Sequence, residues 1–121
     1  MSTHVLVTGG AGYLGAVLCE HLLDAGYRVT AVDNLMYGVP GLFHLCANPN
    51  FDFVFGDARD EQLMSRLIAL ADVIIPLAAL VGAPLCQRDK IGAVTINRDA
   101  IASIVKLASK QQRIIIPTTN S

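Results

Sequence analysis

His4-Val5-Leu6-Val7-Thr8-Gly9-Gly10-Ala11-Gly12-Tyr13-Leu14-Gly15 is the stretch whose reading decides the fold. A run rich in β-branched apolar residues breaks into glycines and then takes up helical spacing, with apolar or aromatic-ring positions at Val17, Leu18, His21, Leu22 and Leu23. That is a strand, a tight turn and a helix. The glycines satisfy two spacings at once, Gly10-x-Gly12-x-x-Gly15 and Gly9-x-x-Gly12-x-x-Gly15. The first glycine lets the backbone turn sharply, the middle one removes a Cβ so that a pyrophosphate can approach, and the last lets the helix pack close to the strand. The new helix aims unpaired N–H groups and the positive end of its dipole at the phosphates. A glycine-rich turn can also join a strand to a helix for packing alone. Here the strand before, the amphipathic helix after, and an acid, Asp33, ending a second strand-like run (Arg28-Val29-Thr30-Ala31-Val32) favour a nucleotide-binding turn.

Outward from this unit, strands and helices alternate. The first strand spans His4 to Thr8 and the first helix Tyr13 to Ala25, stopped by Gly26 in the left-handed conformation. The second strand is Arg28 to Asp33, followed by a turn-rich segment from Asn34 to Gly41 and an ambiguous stretch, Leu42 to Cys46. After the loop Asn48-Pro49-Asn50 comes a third strand, Phe51 to Phe55, closed by Gly56-Asp57. A helix from Arg59 to Leu70 carries Leu63, Leu67 and Leu70 on one side; a fourth strand, Asp72 to Leu77, precedes small residues from Ala78 to Pro84. A long helix, Ile91 to Ser109, leads to a fifth strand, Arg113 to Thr118. Regular alternation predicts an α/β fold, a doubly wound parallel sheet with right-handed crossovers and a crevice at the carboxyl ends of its strands where strand order reverses. Gly9 to Gly15, Asp33, Asp57, Ala78-Ala79 and Thr118-Thr119 all fall at such ends.

Composition agrees and narrows the function classes. The 121 residues are 53% hydrophobic and 16% charged, a bias suited to strands covered on both faces, and equally to a fragment that has lost a covering surface. A net charge of −1 with no basic run gives no support for nucleic-acid binding. The apolar run Val73 to Val81 is broken by Pro76 and is too short to span a bilayer. Without a basic-then-apolar leader, a cytoplasmic location is expected. Cys19, Cys46 and Cys86 are far apart and lack CxxC spacing, and His4, His21 and His44 do not cluster, so neither a disulfide framework nor a metal site is expected.

Several residues at the strand ends suit a dinucleotide. Asp33 can accept both hydroxyls of an adenosine ribose and would repel a 2′-phosphate, which predicts NAD over NADP; a solvated acid or helix cap is the plainer alternative. Asp57 can hydrogen-bond the adenine amino group with the Ala58 backbone against the ring, or it can cap the following helix. Leu77, Ala78 and Ala79 offer close backbone approach, or simply good packing. Asn97 either reaches back to the loops or faces solvent, and a hydroxyl at Thr118 or Thr119 either polarises a carbonyl or alcohol or is an ordinary strand residue.

With these residues in place, the chain resembles the amino-terminal part of an extended short-chain dehydrogenase/reductase of the nucleotide-sugar epimerase/dehydratase type. Thr8-Gly9-Gly10-Ala11-Gly12-Tyr13-Leu14-Gly15, Asp33-Asn34-Leu35, Gly56-Asp57, Leu77-Ala78-Ala79, Asn97 and the strand-five hydroxyls carry the resemblance, which runs over essentially the whole chain. It implies a Rossmann-type domain with NAD as cofactor. It further implies that Tyr13 and Leu14 lend backbone to the pyrophosphate, that Asp33 and Asn34 hold the ribose and Asp57 and Ala58 the adenine, that Asn97 fixes the cofactor loops, and that Thr119 falls at the catalytic Ser/Thr position. The family's general base is the tyrosine of a Tyr-x-x-x-Lys pair. Four residues beyond Tyr13, Tyr27 and Tyr37 stand Val17, Ala31 and Gly41, so none has the lysine. Val81, where some relatives carry a lysine, is a smaller departure.

The expectation is therefore that residues 1–121 form the NAD-binding, five-stranded and incomplete Rossmann domain of a longer enzyme whose substrate domain is absent. That enzyme would remove a hydride from a sugar carbon and return it, act on a nucleotide sugar and pair as a homodimer, while the chain alone would be inactive. The alternatives are a non-catalytic NAD-sensing module and an NAD(P)-dependent reductase of the same fold.

Overall fold

A computed structural model of the chain describes residues 3–9, 13–33, 43–58, 60–77 and 101–116, with backbone only at residues 13 and 43. Five parallel strands form one sheet in the order β3-β2-β1-β4-β5: β1 (His4–Thr8), β2 (Arg28–Asp33), β3 (Phe51–Phe55), β4 (Val73–Pro76) and β5 (Arg113–Ile114). β1 lies at the centre, paired with β2 from His4↔Arg28 to Thr8↔Val32 and with β4 from Val5↔Val73 to Thr8↔Pro76.

The uninterrupted apolar character of β1 follows from this position. Successive side chains point to opposite faces, and both faces are covered. Val5 and Val7 pack with Cys19 and Leu23 of α1 (Tyr13–Asp24), together with Val29, Ala31, Phe51 and Leu45 of a short 3-10 helix (Phe43–Leu45). Leu6, fully buried, faces the other way, onto Met64 and Ile68 of α2 (Glu61–Ala69) and Ile104 of α3, helical over residues 101–107. The stretch Leu42 to Cys46, ambiguous in sequence, thus contributes that 3-10 turn and places Leu45 in the core.

Local chemistry explains most boundaries. α1 ends where Gly26 adopts φ +94, and the Gly26 and Tyr27 N–H groups donate to the Leu23 and Leu22 carbonyls at 3.0 Å each. α2 starts two residues later than the spacing predicts, because the Asp60 side chain caps it, accepting from the Leu63 N–H at 3.2 Å. β4 is one residue shorter at each end than expected.

β5 departs most, stopping at Ile114 rather than Thr118. The Arg113 N–H donates to Asp72 and the Ile115 N–H to Ile74, at 3.1 and 2.9 Å. In that register the next rung needs an N–H from residue 76, which is Pro76, and a proline has none to give. Of the long helix expected from Ile91 to Ser109, residues 91–100 lie outside the described residues, and the described part, α3, ends at residue 107. Its exit is held by Gln112, whose amide nitrogen donates to the carbonyls of Ile68 (2.5 Å) and Ala71 (2.7 Å) while its oxygen accepts from the Ser109 N–H (2.8 Å).

His4 ties together the amino-terminal end of the sheet, away from the strand ends that form the crevice. Its ring bonds the Leu70 carbonyl through Nδ1 (2.8 Å) and Thr30 Oγ1 through Nε2 (2.7 Å), and its backbone N–H donates to Asp72 Oδ2 (2.8 Å). A carbonyl only accepts, so Nδ1 carries the proton, and in the neutral ring the Thr30 hydroxyl donates to Nε2.

Candidate functional site

Strand order β3-β2-β1-β4-β5 places the reversal between β1 and β4. From β1 the chain crosses to β2 through α1 on one face; between β4 and β5 lies α3, packed on the other. The carboxyl ends of these neighbouring strands are therefore the position at which open α/β sheets take up ligands.

The register gathers the candidate residues along this edge. Thr8 is level with Val32 on one side and Pro76 on the other, so Gly9, Asp33 and Leu77 follow at one height on three adjacent strands. Asp33 is level with Phe55, which puts Gly56, Asp57 and Ala58 just beyond it. Hydrogen bonds carry the ladder one step past the strands: the Gly9 N–H donates to the Val32 carbonyl at 2.7 Å, and the Gly56 N–H to the Asp33 carbonyl at 3.1 Å. Gly9 has φ +75, a conformation that L-residues with a Cβ rarely adopt, and here it turns the chain out of β1 toward α1. Tyr13 opens α1, Leu14 is half exposed in its first turn, and Gly15 is buried there. The orphan N–H groups of this first turn face the crevice end of the sheet, the arrangement that receives an anionic group.

Asp33 is partly buried at the end of β2, and Asp57 partly buried beyond β3. The capping alternative for Asp57 does not hold, since Asp60 caps α2; Asp57 instead offers its carbonyl to the Asp60 N–H at 3.0 Å. Ala58 packs at the margin of the apolar layer beneath α2, and Leu77 is buried at the end of β4. Gly12, Asn34, Ala78, Ala79, Asn97 and Thr119 lie outside the described residues.

One residue that the sequence reading quotes only as the start of the glycine-turn motif has a feature of its own in the structure. Thr8 is 1% exposed and its Oγ1 has no hydrogen-bond partner. A polar atom left open at the β1 edge of the crevice, beside a helix N-terminus and a glycine turn, fits a polar ligand laid across the strand ends. The signal available in the sequence was a hydroxyl in an apolar strand, and its burial depended on which strands flank it.

Among the described residues no group of three or more His, Cys, Asp or Glu side chains could hold a metal ion, and no helix is long and apolar enough to cross a membrane. Cys19, on the buried face of α1, has its thiol pushed up to about 12 by desolvation, which keeps it protonated and unreactive.

Comparison with known proteins bears on the same edge. Residues 5–119 match the model of the NAD dependent epimerase/dehydratase family. The chain is 31% identical over 121 residues to a UDP-N-acetyl-alpha-D-glucosaminuronate decarboxylase of Bacillus cytotoxicus, covering all of this chain and 37% of the relative. It is 40% identical over 67 residues to a UDP-glucose 4-epimerase of Streptomyces lividans, covering 55% of this chain and 19% of that one. Among solved structures, the UDP-glucose 4-epimerase of Bifidobacterium longum, in complex with NAD+ and UDP, superposes with a TM-score of 0.81 at 30% identity, over 97% of this chain and 37% of that chain. The chain thus spans less than two-fifths of the length of these relatives.

Proposed function

The chain belongs to the NAD-dependent epimerase/dehydratase family, and from that premise we propose that it is the cofactor-binding portion of an enzyme that transforms a nucleotide sugar. The observation that carries this reading is the row formed by Gly9, Asp33, Gly56 and Leu77 at the switch point of a parallel sheet, with the α1 N-terminus beside it. NAD is the family's cofactor, and when bound it supplies reversible hydride acceptance at a sugar carbon.

The chain's own residues do the holding. The first turn of α1 receives the pyrophosphate through backbone N–H groups of Tyr13 and Leu14. Asp33, with Asn34, accepts the hydroxyls of the adenosine ribose, and Asp57 with the Ala58 backbone meets the adenine. Leu77, Ala78 and Ala79 let the backbone come close to the dinucleotide, Asn97 steadies the loops, and Thr119 hydrogen-bonds the reacting sugar oxygen. No tyrosine of the sequence is followed four residues on by lysine, so the general base belongs to polypeptide beyond these residues and the 121-residue chain alone does not turn over substrate. Among the described residues β5 is an edge strand, and Ile115 and Ile116 just after it are 51% and 43% exposed, which supports a larger whole in which this side is covered.

Titration calorimetry of the chain with NAD and with NADP tests the reading. NAD should bind and NADP should bind more weakly. Asp33→Ala should weaken NAD by about 1–3 kcal/mol, the range for stranding buried polar groups, and should narrow the gap to NADP. Equal affinity of wild type and Asp33→Ala for NAD would remove Asp33 from the site.

A further inference from the structure

Gly56, just past the carboxyl end of β3, yields its side-chain space to another residue. A Cβ at this position would run into the Cδ2 methyl of Leu63, with the Leu63 Cγ at 3.8 Å. Among the described residues, chain neighbours aside, nothing else comes within 4 Å of that point. Only a glycine permits so close an approach to its Cα. Leu63 stands in the first turn of α2, half-buried, and packs with Ala58 against the layer that holds Met64 and Ile68.

The segment between Gly56 and Leu63 is tied at several points. The Gly56 N–H donates to the Asp33 carbonyl at 3.1 Å, and the Asp60 N–H donates to the Asp57 carbonyl at 3.0 Å. The Leu63 N–H donates in turn to Asp60 Oδ1 at 3.2 Å. Leu63 is therefore fixed at its backbone by the cap and at its methyl by Gly56. The turn carrying Asp57 and Ala58 is held between β3 and α2 as a result. Gly56 also joins this turn to the end of β2, so a displacement there reaches Asp33 and Asp57 together.

We propose that Leu63 is a positioning residue for the adenosine half of the dinucleotide, its methyl seated on Gly56 and setting where Asp57 stands relative to Asp33. This rests on the reading of these two acids as the partners of adenine and ribose. Leu63 acts through Gly56 and the turn beyond it. A carboxylate accepts hydrogen bonds and cannot donate them, so Asp57 favours a base bearing an amino group over one with a carbonyl in its place. That preference depends on where the carboxylate stands, and a change in stability alone does not move it.

The test compares NAD with nicotinamide hypoxanthine dinucleotide, in which a carbonyl replaces the adenine amino group. Titration calorimetry is run on the 121-residue chain and its variants, with thermal melts to show that each is folded. Wild type should bind NAD about tenfold more tightly than the analogue, the equivalent of one net hydrogen bond. Leu63→Ala should bring the two ligands within about threefold of each other. Leu63→Met, of similar volume, should keep the wild-type preference. Gly56→Ala displaces the methyl without deleting it, should lose the preference as well, and carries the same test if Leu63→Ala does not fold. In the double variant the two losses of NAD affinity should not add, because both substitutions break one contact. A full preference retained in folded Leu63→Ala or Gly56→Ala would overturn the proposal while leaving the adenine site standing, and so would fully additive losses. A wild type that binds NAD and the analogue equally would remove Asp57 from the adenine. Failure of wild type to bind NAD would remove the cofactor reading itself, and the proposal falls with either.

Discussion

Gln112 is one side chain on which the geometry of the α3 side depends, and replacing it gives a sharp test of that geometry. Its amide spans three backbone groups: the carbonyls of Ile68 and Ala71 at the end of α2, and the N–H of Ser109 in the turn between α3 and β5. Two carbonyls on one side and an N–H on the other fix the amide orientation, since only nitrogen can face the carbonyls. Each such bond contributes about 1 kcal/mol net, so Gln112→Ala should lower stability by about 2–3 kcal/mol. The Ile68 carbonyl also accepts from the Leu70 and Ala71 N–H groups, which places the loss toward the lower end. Gln112→Glu has nearly the same shape but turns a carboxylate oxygen onto those two carbonyls. It should therefore be less stable than Gln112→Ala at pH 7, with the difference shrinking in acid as the carboxyl regains a proton to donate. Urea unfolding at pH 7 and at pH 4.5, each compared with wild type, measures both effects. Equal stability of Gln112→Glu and wild type at pH 7 would refute the arrangement, because no orientation of a carboxylate satisfies two acceptors.

Two further outcomes follow from burial. Leu6→Ala, at a fully buried site in the central strand, should cost about 3–5 kcal/mol by urea unfolding, whereas a loss under 1 kcal/mol would contradict the two-faced core around β1. At pH 8, iodoacetamide should modify exposed Cys46 and spare Cys19 in the native chain, as read by peptide mass mapping. The Cys19 thiol, held up to about 12 from an ordinary 9.0, is protonated in the folded state while the unfolded thiol ionises. Its contribution is complete below pH 9 and declines as pH rises toward 12, so wild type should lose stability over this window more steeply than Cys19→Ala.

Some elements were legible from residues alone, and their common trait is local completeness. The bounds of β1, β2 and β3 match the sequence reading because each is an apolar or β-branched run closed at its end by a glycine, an acid or both. Gly26 stops α1 as expected for a residue free to take positive φ. The glycine turn, the acid at Asp33 and the small residues after the strands mark the carboxyl-end edge of the sheet as the candidate site. What failed locally depended on a competitor nearby or a partner far away. Two aspartates, Asp57 and Asp60, precede α2, and sequence could not tell that Asp60 rather than Asp57 would cap it.

The sequence by itself determined the alternation of strands and helices, the turn that begins the site and the family to which these motifs belong, because each rests on contacts within about a dozen residues. Only the tertiary structure decided how far β5 runs and what Thr8 lacks. Pro76 cuts short a strand nearly forty residues away by withholding one N–H, and Thr8 is stranded by its place between β2 and β4. Both outcomes are set by which strands lie side by side and in what register, and hydrogen-bond satisfaction across a sheet is a property of that pairing rather than of any one strand.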